Sequence, residues 1–253
     1  MAEIMTHETK KWWEEASSSY QEETNIPIGI HYGPGAPFED ELHLLGNLRG
    51  KKVLEIGCGG AQCGIAMAKK GAKVTGIDIS NEQLKFANEL AQKNKVNVKF
   101  YQGDVRKLPQ IKSNSQDTVF SAWALFYVDN IKSCFKEVHR VLKKKGIFVL
   151  ALPHPAYFII NPKNLKFTQS YFKTGKYQSI HKSEEGKKMK FVCYNRTLSE
   201  IANQLIEAGF IIKQIIEPDS RKHYPKDPWY GIWEFQPKLM KYLPPTIIFK
   251  VEK

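Results

Sequence analysis

Residues Glu55 to Ala61 read EIGCGGA and concentrate more chemical potential than any other stretch of this chain. Gly57, Gly59 and Gly60 let the backbone turn sharply and approach a ligand with no Cβ in the way, and the helix expected after them offers free N–H groups at its start. Glu55 sets a carboxylate at the head of this loop. Asp78 follows 21 residues beyond Gly57, at the expected end of the next strand, where an acidic side chain can accept hydrogen bonds from both hydroxyls of a ribose. A ribose-bearing ligand follows from the pair. The dinucleotide fingerprint G-x-G-x-x-G needs a third small residue where this chain has Gln62, so the spacing argues against a nicotinamide cofactor.

The elements that must position these residues are legible in the hydrophobic pattern. Val53 to Ile56 is a short apolar run ended by Gly57, as expected of a strand buried on both faces. A helix over Ala61 to Lys70, closed by Gly71, leads to a second strand, Lys73 to Ile79; Ser80 with Gln83 then reads as a capping box opening the next helix. Further strands are expected at Val96 to Tyr101, Thr118 to Ser121 and Ile147 to Leu152. The helix before the last of these carries Ile131, Cys134, Phe135, Val138, Val141 and Leu142 at helical period and stops at three lysines and Gly146. A second capping box, Thr197 to Glu200, opens a helix closed by Gly209, and strands at Phe210 to Ile216 and Thr246 to Val251 complete the set. Upstream, Trp13, Ala16 or Ser17, and Tyr20 give a short amphipathic helix over Lys11 to Glu23, followed by a Gly- and Pro-rich ordered loop, Ile26 to Pro37. Strands alternating with helices specify an α/β, doubly wound, mostly parallel seven-stranded sheet with right-handed crossovers. Ligands sit beyond the C-terminal strand ends of such sheets, which makes Gly57, Asp78, Asp104, Ser121 and Pro153 the expected rim.

With 253 residues, 42% of them apolar, the chain can bury one substantial core. The expected organisation is an N-terminal cap segment, 1–50, and a ligand-binding domain, 51–253, with an insertion at 154–196. The beginning of the chain is polar, and no run of about 18 apolar residues occurs, so a soluble, cytoplasmic protein without a membrane span is expected. Four cysteines without a C-x-x-C pair or a histidine at zinc-ligand spacing imply a reduced compartment and no metal site. The net charge of +12 is uneven, with three Lys/Arg against nine Asp/Glu in residues 1–50 and a basic surplus in the rest. That balance could attract nucleic acid or an anionic membrane. Against this, 33 of the 38 basic residues are lysine, which suits a solvated surface better than planar phosphate recognition.

The loop motif, an acidic residue, any residue, then G-x-G-x-G, is matched by Glu55 to Ala61 with Ala61 in place of the last glycine. Together with Asp78, the Gly103 and Asp104 pair, Asp117 to Val119 and the segment VHRVLKKKGIFVLALP ending at Pro153, the chain resembles the class I S-adenosylmethionine-dependent methyltransferases, which have a Rossmann-like fold. The resemblance is strong over Val53 to Pro153 and looser over the TLSEIANQLIEAGF helix and the final strand. It implies S-adenosyl-L-methionine as cofactor, with Glu55, Gly57, Cys58 and Gly59 around its methionine moiety and Asp78 on its ribose. It further implies Ile79 and Gln83 flanking the adenine, Gly103 and Asp104 at the adenine amino group, Val105 packed on the ring, and Ser121 and Ala122 close to the sulfonium.

Methyl transfer from a sulfonium is an in-line displacement, and a general base is needed only if the acceptor keeps its proton at neutral pH. His154, between Pro153 and Pro155 on the expected rim, is a candidate base or substrate ligand, or else a loop histidine packed against a lid. His31 and Tyr32, in the motif HYGPG, belong to a segment that resembles the N-terminal cap of small-molecule methyltransferases; they either close over the ligand or anchor the first helix to the core. Trp123, Tyr127 and Tyr157 are the further residues expected at the substrate. From His154 to Arg196 there are nine Lys/Arg and two Asp/Glu interleaved with aromatics, either a substrate lid or a surface on which single-stranded RNA stacks. No D/N-P-P-Y/F/W motif follows the fourth strand, and Pro244 and Pro245 lie far downstream. A small organic acceptor is therefore the leading expectation. RNA methylation and a non-catalytic cofactor-binding partner subunit are the alternatives, and Trp229, Tyr230 and Trp233 suit either a partner surface or the substrate pocket.

Overall fold

The apolar run before the glycine loop forms strand β1 (Lys52–Ile56), whose Val53, Leu54 and Ile56 are wholly buried. The computed structural model describes residues 2–182, 188–222, 229 and 235–253. In it β1 pairs in parallel with β2 (Lys73–Asp78) on one side and β4 (Gln116–Ala122) on the other. β3 (Val98–Gln102) adds beyond β2 and β5 (Leu142–Pro153) beyond β4, both parallel. β9 (Thr246–Glu252) is antiparallel to both of its neighbours, β5 and β8 (Ile211–Ile216). The result is one seven-stranded sheet of order β3-β2-β1-β4-β5-β9-β8.

Alternation along the strands divides the core in two. Leu54, Ile56, Val119, Phe148 and Leu150 point to the face covered by α5 (Ile131–Val141) and α6 (Leu198–Glu207). Val53, Phe120, Val149 and Ala151 point to the face covered by α3 (Gln62–Lys69) and the segment 30–48, which includes the short α2 (Glu39–Leu42). Both faces are apolar because both are covered, which is why the strands read as continuous hydrophobic runs. The doubly wound, Rossmann-like architecture expected from the sequence is the one observed. No helix among the described residues is long and apolar enough to cross a membrane.

Several local expectations are corrected. The first helix, α1 (Ala2–Thr24), begins well before Lys11. The lysines read as a helix end belong to β5, which starts at Leu142: Lys143 donates to Asp117 Oδ1 at 2.7 Å, and Lys145 bonds back to the carbonyl of Lys253. Only half of the first capping box forms. Ser80 accepts from the Gln83 N–H at the start of α4 (Asn81–Lys93), but its own N–H is taken by Asp78, and the Gln83 side chain turns to Gln21. The Glu14 carboxylate of α1 caps α4 further by accepting from the Asn81 and Glu82 N–H groups at 2.9 and 3.1 Å. Within residues 154–196 a hairpin pair, β6 (Gly175–Lys182) and β7 (Lys188–Asn195), stands separate from the main sheet. A last short helix, α7 (Pro237–Met240), packs Leu239 and Met240 with Tyr157, Trp229 and Phe235.

Tyr32, expected at the substrate, is instead a core residue with no solvent exposure, edge-on to Phe120 at 5.7 Å. Its hydroxyl donates to buried Glu39, whose carboxylate also accepts from the Leu44 and Leu45 N–H groups at 2.9 and 2.7 Å. One carboxylate thus closes the loop that leads into β1. Removing it in Glu39→Ala strands buried donors and should cost on the order of 3 kcal/mol in urea unfolding, against about 1 kcal/mol for Tyr32→Phe. A Glu39→Ala protein as stable as the wild type would show that other contacts close this loop.

Candidate functional site

Beyond the C-terminal ends of β1, β2, β4 and β5 lies a cavity of about 1750 Å³, roofed by α1 and the β6–β7 hairpin. The turn after β1 sets its floor. Gly57 has φ +64, and a Cβ there would stand 2.1 Å from the Ala124 Cβ, so only glycine fits. The turn is fastened by Asp78, whose Oδ2 accepts from the Gly59 N–H at 2.8 Å while Oδ1 accepts from the Ser80 N–H at 3.0 Å. Burial raises the Asp78 pKa above the ordinary carboxylate range, opposed by its backbone hydrogen bonds.

Glu55 is also buried, and its Oε2 has no hydrogen-bond partner among the described residues. Burial pushes its pKa up to about 8, opposed by a backbone hydrogen bond from Gly64 and reinforced by the Asp78 charge. A buried carboxyl with an orphaned oxygen, on the wall of a cavity, is a receptor for a cation or a strong hydrogen-bond donor.

The cavity has two unlike ends. Around Glu55, Asp78 and Gln83 it is polar, with Cys58, Ile79, Gly103 and Val105 completing the lining. Toward β4 and β5 it is aromatic: Trp123 meets Phe235, Phe126 and Phe158 edge-on at 5.4, 5.9 and 6.1 Å. Trp123 holds φ +56, a conformation costing a bulky residue about 1–3 kcal/mol and found mostly where function demands it. Its indole Nε1 donates to Thr246 at 3.0 Å.

Most residues singled out from the sequence line this cavity: Ala122, Trp123, Tyr127, His31, His154 and the loop residues already named. Three do not. Ser121 turns inward and donates to the Ile56 carbonyl at 3.0 Å, because it is one residue out of phase with Ala122 on β4. Tyr157 is buried against Trp229, Phe235 and α7, leaving neighbouring Phe158 at the cavity, and Tyr32 is the core residue described above. Asp104 lines the cavity but is gripped by Arg106, which donates to both of its oxygens and, through Nη1, to Asp129 at 2.5 Å.

His154 is on the rim with both ring nitrogens engaged. Nδ1 accepts from the Ala156 N–H at 3.2 Å, so Nε2 carries the proton toward Glu217 Oε1 at 2.8 Å. This ties the end of β5 to the loop after β8. His154 therefore lines the cavity with its ring orientation set by Glu217 and the Ala156 N–H. Trp229 is buried and lines the cavity, whereas Tyr230 and Trp233 lie outside the described residues.

Sequence reasoning missed Gln21. Its side chain donates to Gln83 at 2.9 Å and accepts from Gln62 at 2.7 Å, bolting α1 over the glycine loop. Glutamine on a helix carries no signal of burial. It also missed Arg106 and Arg196; the latter donates to the Val128 and Asp129 carbonyls, and burial brings its pKa down to about 10.

A family model described as a methyltransferase domain matches residues 47–209. The chain belongs to the methyltransferase domain family. An uncharacterized protein of Haemophilus influenzae is 30% identical over 227 residues, 84% of this chain and 85% of its own length. A ubiquinone biosynthesis O-methyltransferase of Pseudomonas syringae is 30% identical over 136 residues, 54% of this chain and 55% of that one. Among solved structures, a Listeria monocytogenes protein provisionally assigned as an S-adenosylmethionine-dependent methyltransferase is 25% identical with a TM-score of 0.64, covering 85% of this chain and 97% of that one.

In this methyltransferase the floor of the polar end meets the demands of a sulfonium amino-acid nucleoside, with an orphaned acid for an ammonium and a carboxylate at the second strand end for a ribose. The free protein must carry the cost of that orphan. Folded Glu55, with a pKa of about 8 against an ordinary value of 4.5, keeps a proton that the unfolded chain releases. Stability therefore falls as pH rises from the lower value to the higher and levels off above it. Between pH 5 and pH 8.5 the wild type should lose more stability than Glu55→Gln, by on the order of 4 kcal/mol in urea titrations. Parallel losses in the two proteins would mean that Glu55 is ionised in the folded state.

Proposed function

We propose that this enzyme transfers the methyl group of S-adenosylmethionine to a small organic acceptor by in-line displacement. The observation that carries the reading is the division of one cavity into an acidic end built on the glycine loop and an aromatic end built on Trp123. Its volume, about 1750 Å³, exceeds the usual 300–1000 Å³ of a single-ligand pocket and leaves room for donor and acceptor together.

When bound, the cofactor supplies an activated methyl carbon, so the protein need only bind, align and exclude water. The Glu55 carboxylate would accept from the ammonium of the methionine moiety. Asp78, with one backbone N–H on each oxygen, keeps further lone pairs for the ribose hydroxyls. Ile79, Gln83 and Val105 frame the adenine, and Asp104 offers the lone pairs that Arg106 leaves. Ala122 and Trp123, at the end of β4, form the wall against which the acceptor is aligned. Residues 1–50 act as the cap and 154–196 as the lid: α1 and the hairpin meet over the cavity through Glu8, which pairs with Lys176 and Lys190 at 3.0 and 2.5 Å.

The same contacts weigh against RNA as acceptor. Phe191 and His181 of the hairpin pack edge-on against Trp12, at 5.2 and 5.3 Å, and two of its lysines are committed to Glu8. Those rings and charges are engaged within the protein, whereas Phe167, Phe172 and Tyr177 of the same stretch are exposed, so the salt dependence of RNA binding decides between the acceptors.

Calorimetric titration with S-adenosylmethionine at pH 7 should give saturable binding with release of a proton, as Glu55 ionises against the ammonium. The proton is detected by comparing buffers of unlike ionisation heat. Glu55→Gln should bind without it, and Asp78→Ala should bind about tenfold more weakly or worse. Absence of saturable heat in the wild type would end the assignment, and tight, steeply salt-dependent RNA binding would move the acceptor to nucleic acid.

A further inference from the structure

The outer face of the insertion carries aromatic rings that neither the core nor the cavity takes up. Phe167 and Phe172 are 76% and 82% exposed, and Phe158, Tyr177 and Ile180 of the same stretch are exposed to lesser degrees. Apolar side chains scattered singly are ordinary on a protein surface, whereas several in one stretch mark a face that meets an apolar partner. Phe167 and Phe172 are separated by five positions, so their Cα atoms lie within about 18 Å of each other, close enough for one extended partner to reach both.

The backbone that presents these rings is held by its own hydrogen bonds. Asn161 builds the turn before Phe167: its N–H donates to the Lys166 carbonyl at 2.9 Å, its carbonyl accepts from the Leu165 N–H at 2.9 Å, and its side chain accepts from the Lys163 N–H at 2.9 Å. Leu165 packs onto the cluster of Tyr157 and Trp229, which leaves Lys166 and Phe167 outside. The following turn is anchored by Tyr171, whose hydroxyl accepts from the Leu198 N–H at the start of α6 at 3.0 Å, with Phe172 next to it in solvent. Lysines stand on either side of both rings. Lys163, Lys166 and Lys173 are exposed and have no ion-pair partner among the described residues. The one arginine of residues 154–196, Arg196, is turned inward onto the Val128 and Asp129 carbonyls.

We propose that this face docks the enzyme on an anionic lipid bilayer, with Phe167 and Phe172 inserted at headgroup depth and Lys163, Lys166 and Lys173 on the lipid phosphates. Charge selects this occupant over two others. A second copy of the chain, of net charge +12, would bring the same unpaired lysines face to face. Nucleic acid favours the planar arginine fork, and the insertion points no arginine outward. Lysine is a point charge on a flexible stem, suited to headgroups that diffuse and offer no fixed pattern, and each one near an anionic surface contributes about fivefold in affinity. A lone anchor of either kind binds only marginally, whereas apolar insertion combined with a basic cluster holds a protein at the surface. Docked in this way, the cavity opens toward the bilayer. Lys173 and Tyr177 belong to its lining, and the partly exposed Phe158 meets Trp123 at 6.1 Å inside it. An apolar acceptor dissolved in lipid then reaches the aromatic end of the cavity along rings instead of through water. That route rests on the proposed function, and the docking itself does not.

Co-sedimentation of the full chain with vesicles tests the docking. The wild type should bind vesicles of phosphatidylcholine with about one-third phosphatidylglycerol roughly a hundredfold more tightly than vesicles of phosphatidylcholine alone, the combined effect of three lysines. The triple variant Lys163→Gln, Lys166→Gln, Lys173→Gln should lose most of that preference. The double variant Phe167→Ser, Phe172→Ser should bind the anionic vesicles about tenfold more weakly or worse while melting at the wild-type temperature, because both positions are exposed. Phe172→Trp, which keeps an aromatic ring and guards against misfolding of the serine variant, should bind as the wild type does, and its added fluorescence should be quenched by lipids brominated on the acyl chain. A wild type that stays off anionic vesicles, binding indifferent to the serine substitutions, or an added tryptophan untouched by brominated lipid would overturn the docking. So would single-stranded RNA bound more tightly than vesicles through the same two rings, which would give the face to nucleic acid, or wild-type dimers that the serine variant dissociates, which would give it to a second copy. None of these readouts involves S-adenosylmethionine, so they stand or fall apart from the proposed function.

Discussion

The Asp78 carboxylate holds two loops together, and the site depends on that clasp. It takes the Gly59 N–H on one oxygen and the Ser80 N–H on the other, joining the turn after β1 to the turn after β2. The parallel register, in which Glu55 faces Gly76, places the second buried acid one strand over and two residues back. Two carboxyls out of water and near each other are costly, and the cost appears as raised pKa values on both. Asp78 is compensated by several backbone donors, whereas Glu55 has the Gly64 N–H alone to oppose its burial. The unpaired oxygen is where a cationic ligand can contribute most, because binding removes a penalty already present in the free protein.

Over this floor the roof is assembled from segments far apart in the chain, and charge helps to join them. The acidic front supplies Glu8 to Lys176 and Lys190 of the hairpin, Glu14 to the start of α4 and Asp40 to Lys70. The uneven charge of the sequence is thus spent partly inside the molecule. Each exposed pair contributes little, about 0–1 kcal/mol. Those of Glu8 are half-sheltered and stand beside the Trp12 and Phe191 contact, so geometry and apolar packing reinforce one another.

The sequence was most legible where a backbone requirement dictates residue type. Glycine at 57, the continuous apolar run of β1 and the capping box at Thr197 were all read correctly, because few residues meet those demands. Side-chain direction was less legible. Ser121 and Ala122 are adjacent on β4, so a one-residue ambiguity in where the strand ends exchanges core for cavity. Tyr32 and Tyr157 looked like ligand contacts because an aromatic with a hydroxyl suits either a pocket or a core with a partner, and Glu39 is a partner that only the folded loop reveals for Tyr32. Gln21 was invisible for the opposite reason, being a polar residue on a helix whose burial depends on a distant loop.

The two ends of the cavity also differ in how they are held. Trp123 sits in a left-handed conformation, and its indole is tied to Thr246, whose hydroxyl donates in turn to the Pro34 carbonyl at 2.6 Å. That chain of bonds links the end of β4, the start of β9 and the loop bearing His31, and Gly33 packs directly on the same ring. Strain at Trp123 persists because the surroundings fix it on several sides, the condition under which a strained residue can orient a ligand without rearranging. The polar end is closed mainly by side chains of α1, with Gln21 and Glu14 reaching across to α3 and α4. A wall fixed on several sides at Trp123, beneath a roof fastened by side-chain hydrogen bonds, suits a reaction whose main demand is alignment of three atoms.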